Sequence, residues 1–323
     1  MTTWPDETRI AAWLDQIGLE PGLPLRVTPI TAGKSNLMYR IERGPRRWVL
    51  RRPAGVAVDR ADEGMRREFR LLTALTKTAV PHPTPVALCT DPTVFGRVFY
   101  LMEAVDGYSP MPPLPPFAAA PGYPARAMAA MIDALATLHR VDPMALGLND
   151  FGRPDGFHER QVRRWGNQLA SYGDHDLHVL REIGPWLEAR APSAWTPGLM
   201  HGDYHMLNLL LEGDENPRVT AILDWETATI GDPLLDVAGF LEVSRLVYPS
   251  EEGWPGEAEI LARYDPELVL GDLTYYRVLY NYRLAVLMGG IHIRSLRDPD
   301  RADAADVGER AVHAARRARD LSR

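Results

Sequence analysis

Between Met200 and Glu226 the chain reads MHGDYHMLNLLLEGDENPRVTAILDWE, two histidines, an asparagine and several carboxylates in a largely apolar stretch. Two chemistries want such residues. His201 and His205 are four apart with Asp203 between them, a spacing that on a helix would turn both imidazoles toward one metal ion. Gly202 interrupts that helix, however, and no further His or Cys follows at ligand spacing, whereas a structural zinc site closes four ligands. His175 and His178 could join only through a fold the sequence does not indicate. The second chemistry is phosphoryl transfer. It needs one carboxylate to orient an attacking hydroxyl, and an amide and a second carboxylate as hard oxygen ligands for the Mg²⁺ that bridges nucleotide phosphates. Asp203, Asn208 and Asp224 come in a suitable order. The gap from Asp203 to Asn208 suits a short loop that turns the amide back toward one cleft, and a strand turn then brings Asp224 alongside.

Those residues need elements to hold them. "NLLLE" and "RVTAILDWE" read as two short strands joined by the turn "GDENP". Upstream, Glu7 to Ile17 reads as an amphipathic helix, and residues 25–50 alternate polar and apolar with turn signals at Gly33 and Gly44-Pro45. "RADEGMRREFRLLTALTKT" spaces Met65, Phe69, Leu72 and Leu75 for one helix face, and "RVFYLMEAV" is a further strand. Seven prolines between Pro110 and Pro124 then forbid regular structure and mark a boundary. Beyond them the pattern is helical: Met128, Met131, Ile132, Leu135 and Leu138 share a face, and further helical strings run to the C-terminus. The outline is a small strand-rich part, a connector near Glu103–Gly107, and a larger helical part with a two-stranded insert.

Composition narrows the class. The chain has 323 residues, 46% of them hydrophobic and 24% charged, the profile of an ordinary globular protein. Cys89 is its single cysteine, so a disulfide framework and a cysteine-rich zinc site are both excluded. No apolar run reaches the length of a membrane span and the N-terminus lacks a signal-peptide pattern, so the expected location is the cytoplasm. The net charge of −7 is uneven: residues 1–107 hold 15 basic against 12 acidic groups, and the rest hold 21 against 31. A positive first part could hold a nucleotide's phosphate tail, and the acidic second part argues against nucleic acid as the partner.

The ordered string HGDYHMLNLLL, ILDWE and GDPLLDVA resembles the aminoglycoside phosphotransferase/choline kinase family, small-molecule kinases with a protein-kinase-like fold. "ITAGKSNLMYRI" is similar to that family's nucleotide-covering hairpin, "WVLRRP" to its third strand, "MRREFRLLTAL" to its lobe helix and "YLMEAVDG" to its hinge. "LHRVD", "ERQVRRW" and "YNYRLAVLMGGI" resemble the branch related to the kinase-like domain of some acyl-CoA dehydrogenases. The resemblance implies an α+β, two-lobed fold: residues 1–105 as nucleotide-binding lobe, and 106–323 as helical lobe with the catalytic loop and acceptor site. It implies ATP and Mg²⁺, with transfer of the γ-phosphate to a hydroxyl of a small molecule.

By the same resemblance Asp203 is the catalytic carboxylate, and Asn208 and Asp224 are the Mg²⁺ ligands. Kinase-like sites place a lysine on the third strand, paired with a glutamate of the lobe helix. Lys34 and Lys77 are the only lysines and neither lies in "WVLRRP", so Arg51 takes that place with Glu68 as partner. Arg52 is expected on the opposite, solvated face; a strand register shifted by one would exchange the two. Gly33, Lys34 and Ser35 would cover the phosphates, against an ordinary hairpin turn as the plain reading. Glu103 and Val105 would meet adenine through backbone groups. His201 reads as scaffold and His205 as having no required role. Asp232 is expected to cap a helix from Pro233, and Asp236 to brace the catalytic loop. Arg164 and Trp165 either line an acceptor pocket or are a solvated arginine and a core tryptophan. The acidic second part would suit a cationic aminoglycoside, whereas the branch resemblance points to a hydroxyacyl thioester or another hydroxylated metabolite. A nucleotide-binding pseudokinase serving as an interaction module is the alternative, and a zinc hydrolase the third option.

Overall fold

The structure is a computed structural model that describes residues 6–30, 36–54, 59–172, 177–248, 253–296 and 305–323. Asp6 starts the first helix, α1 (Glu7–Gln16), by accepting the amide protons of Thr8 and Arg9, donors that a helix N-terminus otherwise leaves open. Five strands follow in an antiparallel sheet ordered β1-β2-β3-β5-β4. They are β1 (Leu25–Ile30), β2 (Asn36–Arg43), β3 (Arg46–Pro53), β4 (Pro85–Cys89) and β5 (Phe99–Glu103).

Strand periodicity of two divides the side chains between the two faces. Tyr39, Ile41, Trp48, Leu50, Phe99 and Leu101 pack with Ile10, Trp13 and Leu14 of α1 into one apolar cluster. Buried Arg43 pins α1 to the sheet by donating to the carbonyls of Ala11, Leu19 and Leu23 and pairing with Asp15. On the other face lie Arg51, Tyr100 and Met102, under helix α2 (Asp59–Leu75). Met65, Leu72 and Leu75 of α2 are buried as their spacing predicts, and Phe69 lies 5.9 Å from the ring of Tyr100.

Arg52 departs from expectation. It does lie across the strand from Arg51, but it is buried rather than solvated. Its guanidinium donates to the carbonyls of Phe95 and Pro53 and sits 4.4 Å from the Phe95 ring. That aromatic ring and those carbonyls belong to the short helix α3 (Pro92–Phe95) and the strand end, which no local pattern in "WVLRRP" reveals.

After Glu103 the chain crosses to the helical part, and Tyr108 exchanges two 2.9 Å backbone hydrogen bonds with Leu211. The proline-rich stretch is not wholly irregular. It contains one four-residue 3₁₀ turn at Pro116–Ala119, and Pro124 enters the first turn of α4 (Tyr123–His139), where a missing N–H costs nothing. Helices α5 (Phe157–Ala170) and α6 (Leu180–Ala189) precede the insert. The insert pairs β6 (Gly198–Met200) with β9 (Thr229–Gly231) and, between them, β7 (Leu209–Glu212) with β8 (Arg218–Ile222). Helices α7 (Leu234–Val247), α8 (Glu257–Tyr264), α9 (Thr274–Leu296) and α10 (Ala305–Leu321) complete the fold.

Helix α7 is buried nearly all round from Leu235 to Leu241, so it shows none of the one-sided apolar period that identifies α4. Its buried Glu242 accepts hydrogen bonds from Arg277 and Asn281 of α9 and from Arg317 of α10, which locks the three helices together. Among the described residues no helix is long and apolar enough to cross a membrane.

Candidate active site

Strand β6 delivers the chain to a loop at His201. The His201 ring is fully buried: its Nε2 lies 2.9 Å from the Leu223 carbonyl, and its Nδ1 accepts the Asp203 amide proton at 3.3 Å. Burial lowers its pKa, so the ring is neutral, with the proton on Nε2. Both nitrogens are thereby taken by backbone, which removes His201 as a metal ligand. Among the described residues no three His, Cys, Asp or Glu side chains converge on a metal position either.

Asp236, in the first turn of α7, braces this loop from below. Its carboxylate accepts the amide protons of His201 and Gly202 at 2.6 and 2.8 Å, and lies 3.3 Å from His139 Nε2. Asp232 accepts the Leu234 amide proton at the start of α7, and its other oxygen accepts from the Tyr276 hydroxyl and lies 3.1 Å from His158. Gly202 has φ +81°, and a Cβ there would lie 2.6 Å from the Thr227 carbonyl oxygen. Gly202→Ala is therefore expected to destabilise by about 2 kcal/mol or more, since strain and a backbone clash add, and to misplace Asp203. A melting temperature equal to that of the parent would refute this.

Asp203 leaves the loop with its side chain 41% exposed, and His205 Nε2 lies 3.4 Å from its Oδ2. Burial is the largest single influence on this carboxyl and pushes its pKa up. The His205 hydrogen bond and charge, then Arg283, outweigh it and hold the pKa down at about 2. His205, to which the sequence assigns no role, is thus the nearest group setting the charge of Asp203. Asn208 ends a short 3₁₀ turn, and its Nδ2 donates to the Asp203 carbonyl at 2.9 Å and to Asp203 Oδ2 at 3.3 Å. Its own carbonyl accepts the Leu223 amide proton at 2.8 Å, which places Asp224 beside it.

Asp224 has a left-handed backbone, φ +62°, uncommon for a residue with a Cβ. Its Oδ1 lies 2.6 Å from an Arg51 nitrogen, and Glu226 Oε2 lies 3.3 Å from the same nitrogen. Arg51 Nε is 3.1 Å from Glu68 Oε2, and all but 5% of Arg51 and 2% of Glu68 is buried. The Trp225 amide donates to the other Glu68 oxygen. Burial pushes the Glu68 carboxyl up to about 7, against the pull of Arg51 and with the repulsion of Asp224 and Glu226. Burial lowers the Arg51 pKa, but Glu68, Tyr100 and Asp224 outweigh it and hold it above its ordinary value. Three carboxylates around one guanidinium leave a net negative charge, suited to a divalent cation.

The structure thus brings Arg51, Glu68, Asp203, Asn208 and Asp224 together from β3, α2, the β6–β7 loop and the turn after β8. It adds Glu226, which the sequence reading passed over, and a side-chain contact of Asn36, whose backbone amide the sequence places among those covering the phosphates. Glu226 shares Arg51 with Asp224, and Asn36 of β2 donates to Glu226 at 2.9 Å. The available signal was Glu226 itself, one residue past Trp225 in "LDWE".

Residues 26–279 match the phosphotransferase enzyme family, APH. The chain belongs to that family. It is 29% identical over 315 residues to human acyl-CoA dehydrogenase family member 11, a match covering 90% of this chain and 40% of that one. The chain therefore spans two fifths of that relative's length. A Ralstonia eutropha JMP134 structure, provisionally named an aminoglycoside phosphotransferase, superposes with a TM-score of 0.83 at 29% identity, covering 99% of this chain and 98% of the other. Aminoglycoside 2′-phosphotransferase-IIIa, solved with GDP, shares the fold at a TM-score of 0.69 and 16% identity, covering 98% and 99% of the two chains. The protein-kinase-like α+β fold and the acyl-CoA-dehydrogenase-related branch are both as the motifs implied.

The end of β5 is tied to its neighbours. Glu103 donates its amide proton to Thr84, Ala104 donates to Arg47, and the Glu103 carboxylate pairs with Arg46 at 3.1 Å. Val105 follows, half-buried, outside the strand. Gly33, Lys34 and Ser35 lie outside the described residues. Beside Gly202 and Glu226 opens a cavity of about 580 Å³ lined by Arg164 and Trp165. The second reading of that pair, a core tryptophan with a solvated arginine, is what the structure shows, and the pair also borders this cavity. Trp165 is buried with its Nε1 donating to Gln161, and exposed Arg164 lies 4.7 Å from its ring.

Proposed function

We propose that this phosphotransferase moves the γ-phosphate of ATP to a hydroxyl of a small molecule. The observation that carries the proposal is the meeting of Asp203, Asn208 and Asp224 on one side of the Arg51–Glu68 pair. In the reaction the acceptor oxygen bonds to the γ-phosphorus, the bond from that phosphorus to the β-bridging oxygen breaks, and ADP leaves. Asp203 orients the hydroxyl and takes its proton. An acid with a pKa near 2 is a weak base, which suits a transfer in which positioning and charge stabilisation dominate over proton abstraction.

Asn208 and Asp224 would hold Mg²⁺, and the excess of carboxylates over Arg51 supports that fit. When bound, Mg²⁺ supplies charge neutralisation at the phosphates. Arg51, fixed by Glu68, would grip phosphate oxygens in the lysine's stead. Gly33, Lys34 and Ser35 would cover the phosphates, and the backbone at Glu103 and Val105 would meet adenine. Residues 1–105 would then be the nucleotide lobe, and 106–323 the lobe carrying the catalytic loop and acceptor site, in a cytoplasmic enzyme.

The test is ADP release across a library of hydroxylated metabolites and antibiotics, with thermal shift by ATP measured alongside. Acceptor-dependent ADP release that stops on chelation and returns with Mg²⁺ is the expected result. ATP binding without release under any acceptor would leave a nucleotide-binding interaction module instead. Absence of ATP binding would undo the kinase reading altogether.

A further inference from the structure

The cavity beside the site has a charge opposite to that of the chain around it. Residues 108–323 carry 31 acidic against 21 basic groups, yet Arg153, Arg160, Arg164 and Arg283 of that part line the cavity, joined by Arg60 and Arg67 of α2. Its acidic lining residues are Asp150 and Glu226, and each already has a partner outside that set: Asp150 is bridged to Arg70, and Glu226 to Arg51. Among the described residues none of the six arginines forms an ion pair.

Two of the six are fixed on backbone. Arg67 donates to the carbonyls of Ala228 and Phe151 and lies 3.6 Å from the Phe151 ring, and Arg160 donates to the carbonyls of Arg153 and Asp155. Arg164 and Arg283 are different. Among the described residues neither makes a hydrogen bond; both lie against the Trp165 ring, at 4.7 and 5.8 Å from its centroid. A guanidinium attracted to an aromatic face keeps its N–H donors free for another partner. Burial, Arg283 and Arg60 all press against the charge of Arg164, and Arg283 acts in turn on Asp203. The positive field therefore runs from the cavity wall to the carboxylate placed at the reacting hydroxyl. Arg164 and Arg283 repel one another, and an anion bound between them relieves that repulsion.

We infer that the cavity holds the acceptor by an anionic group, a carboxylate or a phosphate, gripped by Arg164 and Arg283 while its hydroxyl lies at Asp203. The inference rests on the phosphotransferase reading and names its substrate class. It reverses what the acidic composition of the second part suggests, because a polycationic aminoglycoside would meet a wall of six arginines, among them Arg164 and Arg283 with no ion pair among the described residues.

The experiment sorts the acceptor library into carboxylates, phosphate esters, neutral alcohols and aminoglycosides, and determines KM for acceptor and for ATP separately. The stimulating acceptors are expected among the first two arms, and which arm responds identifies the anion. Arg164→Gln and Arg283→Gln should each raise the acceptor KM about tenfold or more, the loss expected for a charge-assisted hydrogen bond, and leave the ATP KM unchanged. Arg163→Gln removes an exposed charge from the same helix at a position that does not line the cavity; it serves as the control with unchanged kinetics. Added salt should raise the acceptor KM in the parent more than in the two variants. Stimulation confined to neutral or cationic acceptors, no stimulation by any anionic one, or an unchanged acceptor KM in Arg164→Gln would overturn the inference. ATP thermal shift tests the kinase reading separately, so one can fail without the other.

Discussion

Asp203→Ala retains ATP binding and loses turnover by about 10²–10⁴-fold, the usual contribution of a positioned proton acceptor. The separation of the two effects follows from where Asp203 stands. It touches His205 and the Asn208 amide, whereas Arg51 and Glu68 meet on the other side of Asp224. Its carboxyl, held near 2, is already ionised throughout the range in which the protein would be assayed. The parent's kcat should therefore show no acid limb from Asp203 above about pH 4, two units past that value. Asp203→Asn keeps the shape and removes the charge, so it should lose nearly as much. Near-parental ADP release by Asp203→Ala, with the same acceptor, would sink its assignment as the catalytic residue.

Arg51→Ala produces the largest loss of stability, about 3–5 kcal/mol, because breaking a buried pair leaves an uncompensated charge. Glu68 is 2% exposed, and Asp224 and Glu226 would then repel one another across the gap. The sign of the pH dependence follows from Glu68. Its folded pKa stands at about 7, above the ordinary 4.5, and removing Arg51 takes away the cation that restrains it. A carboxyl raised in this way favours the folded state below pH 4.5 and loses that advantage as pH rises. Arg51→Ala should accordingly melt closest to the parent near pH 4.5 and furthest below it at pH 8. Glu68→Gln in the same background should recover part of the loss. ATP binding should fall in Arg51→Ala and be partly kept in Arg51→Lys, which retains a cation without the two-pronged grip. Equal melting of parent and Arg51→Ala at pH 8 would refute the account.

Much of the site could be read along the chain because its parts are close in sequence. The loop from His201 to Asn208 and the hairpin ending at Asp224 set a few residues at fixed steps, and steps of that size translate directly into geometry. The opposed faces of Arg51 and Arg52 follow from the same rule, since a strand has a period of two. The burial of Arg52 does not, because it is decided by Phe95, 43 residues away.

Contacts across long separations account for the rest. Asn36 reaches Glu226 over 190 positions. Arg283, on α9, acts on Asp203, which lies in the β6–β7 loop. The six arginines of the cavity beside the site come from α2, the stretch before α5, α5 itself and α9. Summed along the chain their charges vanish into an acidic total; only packing gathers them on one wall. The sequence alone determined the family, because the motifs that carry Asp203, Asn208 and Asp224 sit on locally determined turns. The sign of the cavity beside the site belonged to the tertiary structure, because a field depends on where charges meet and not on how many a segment contains.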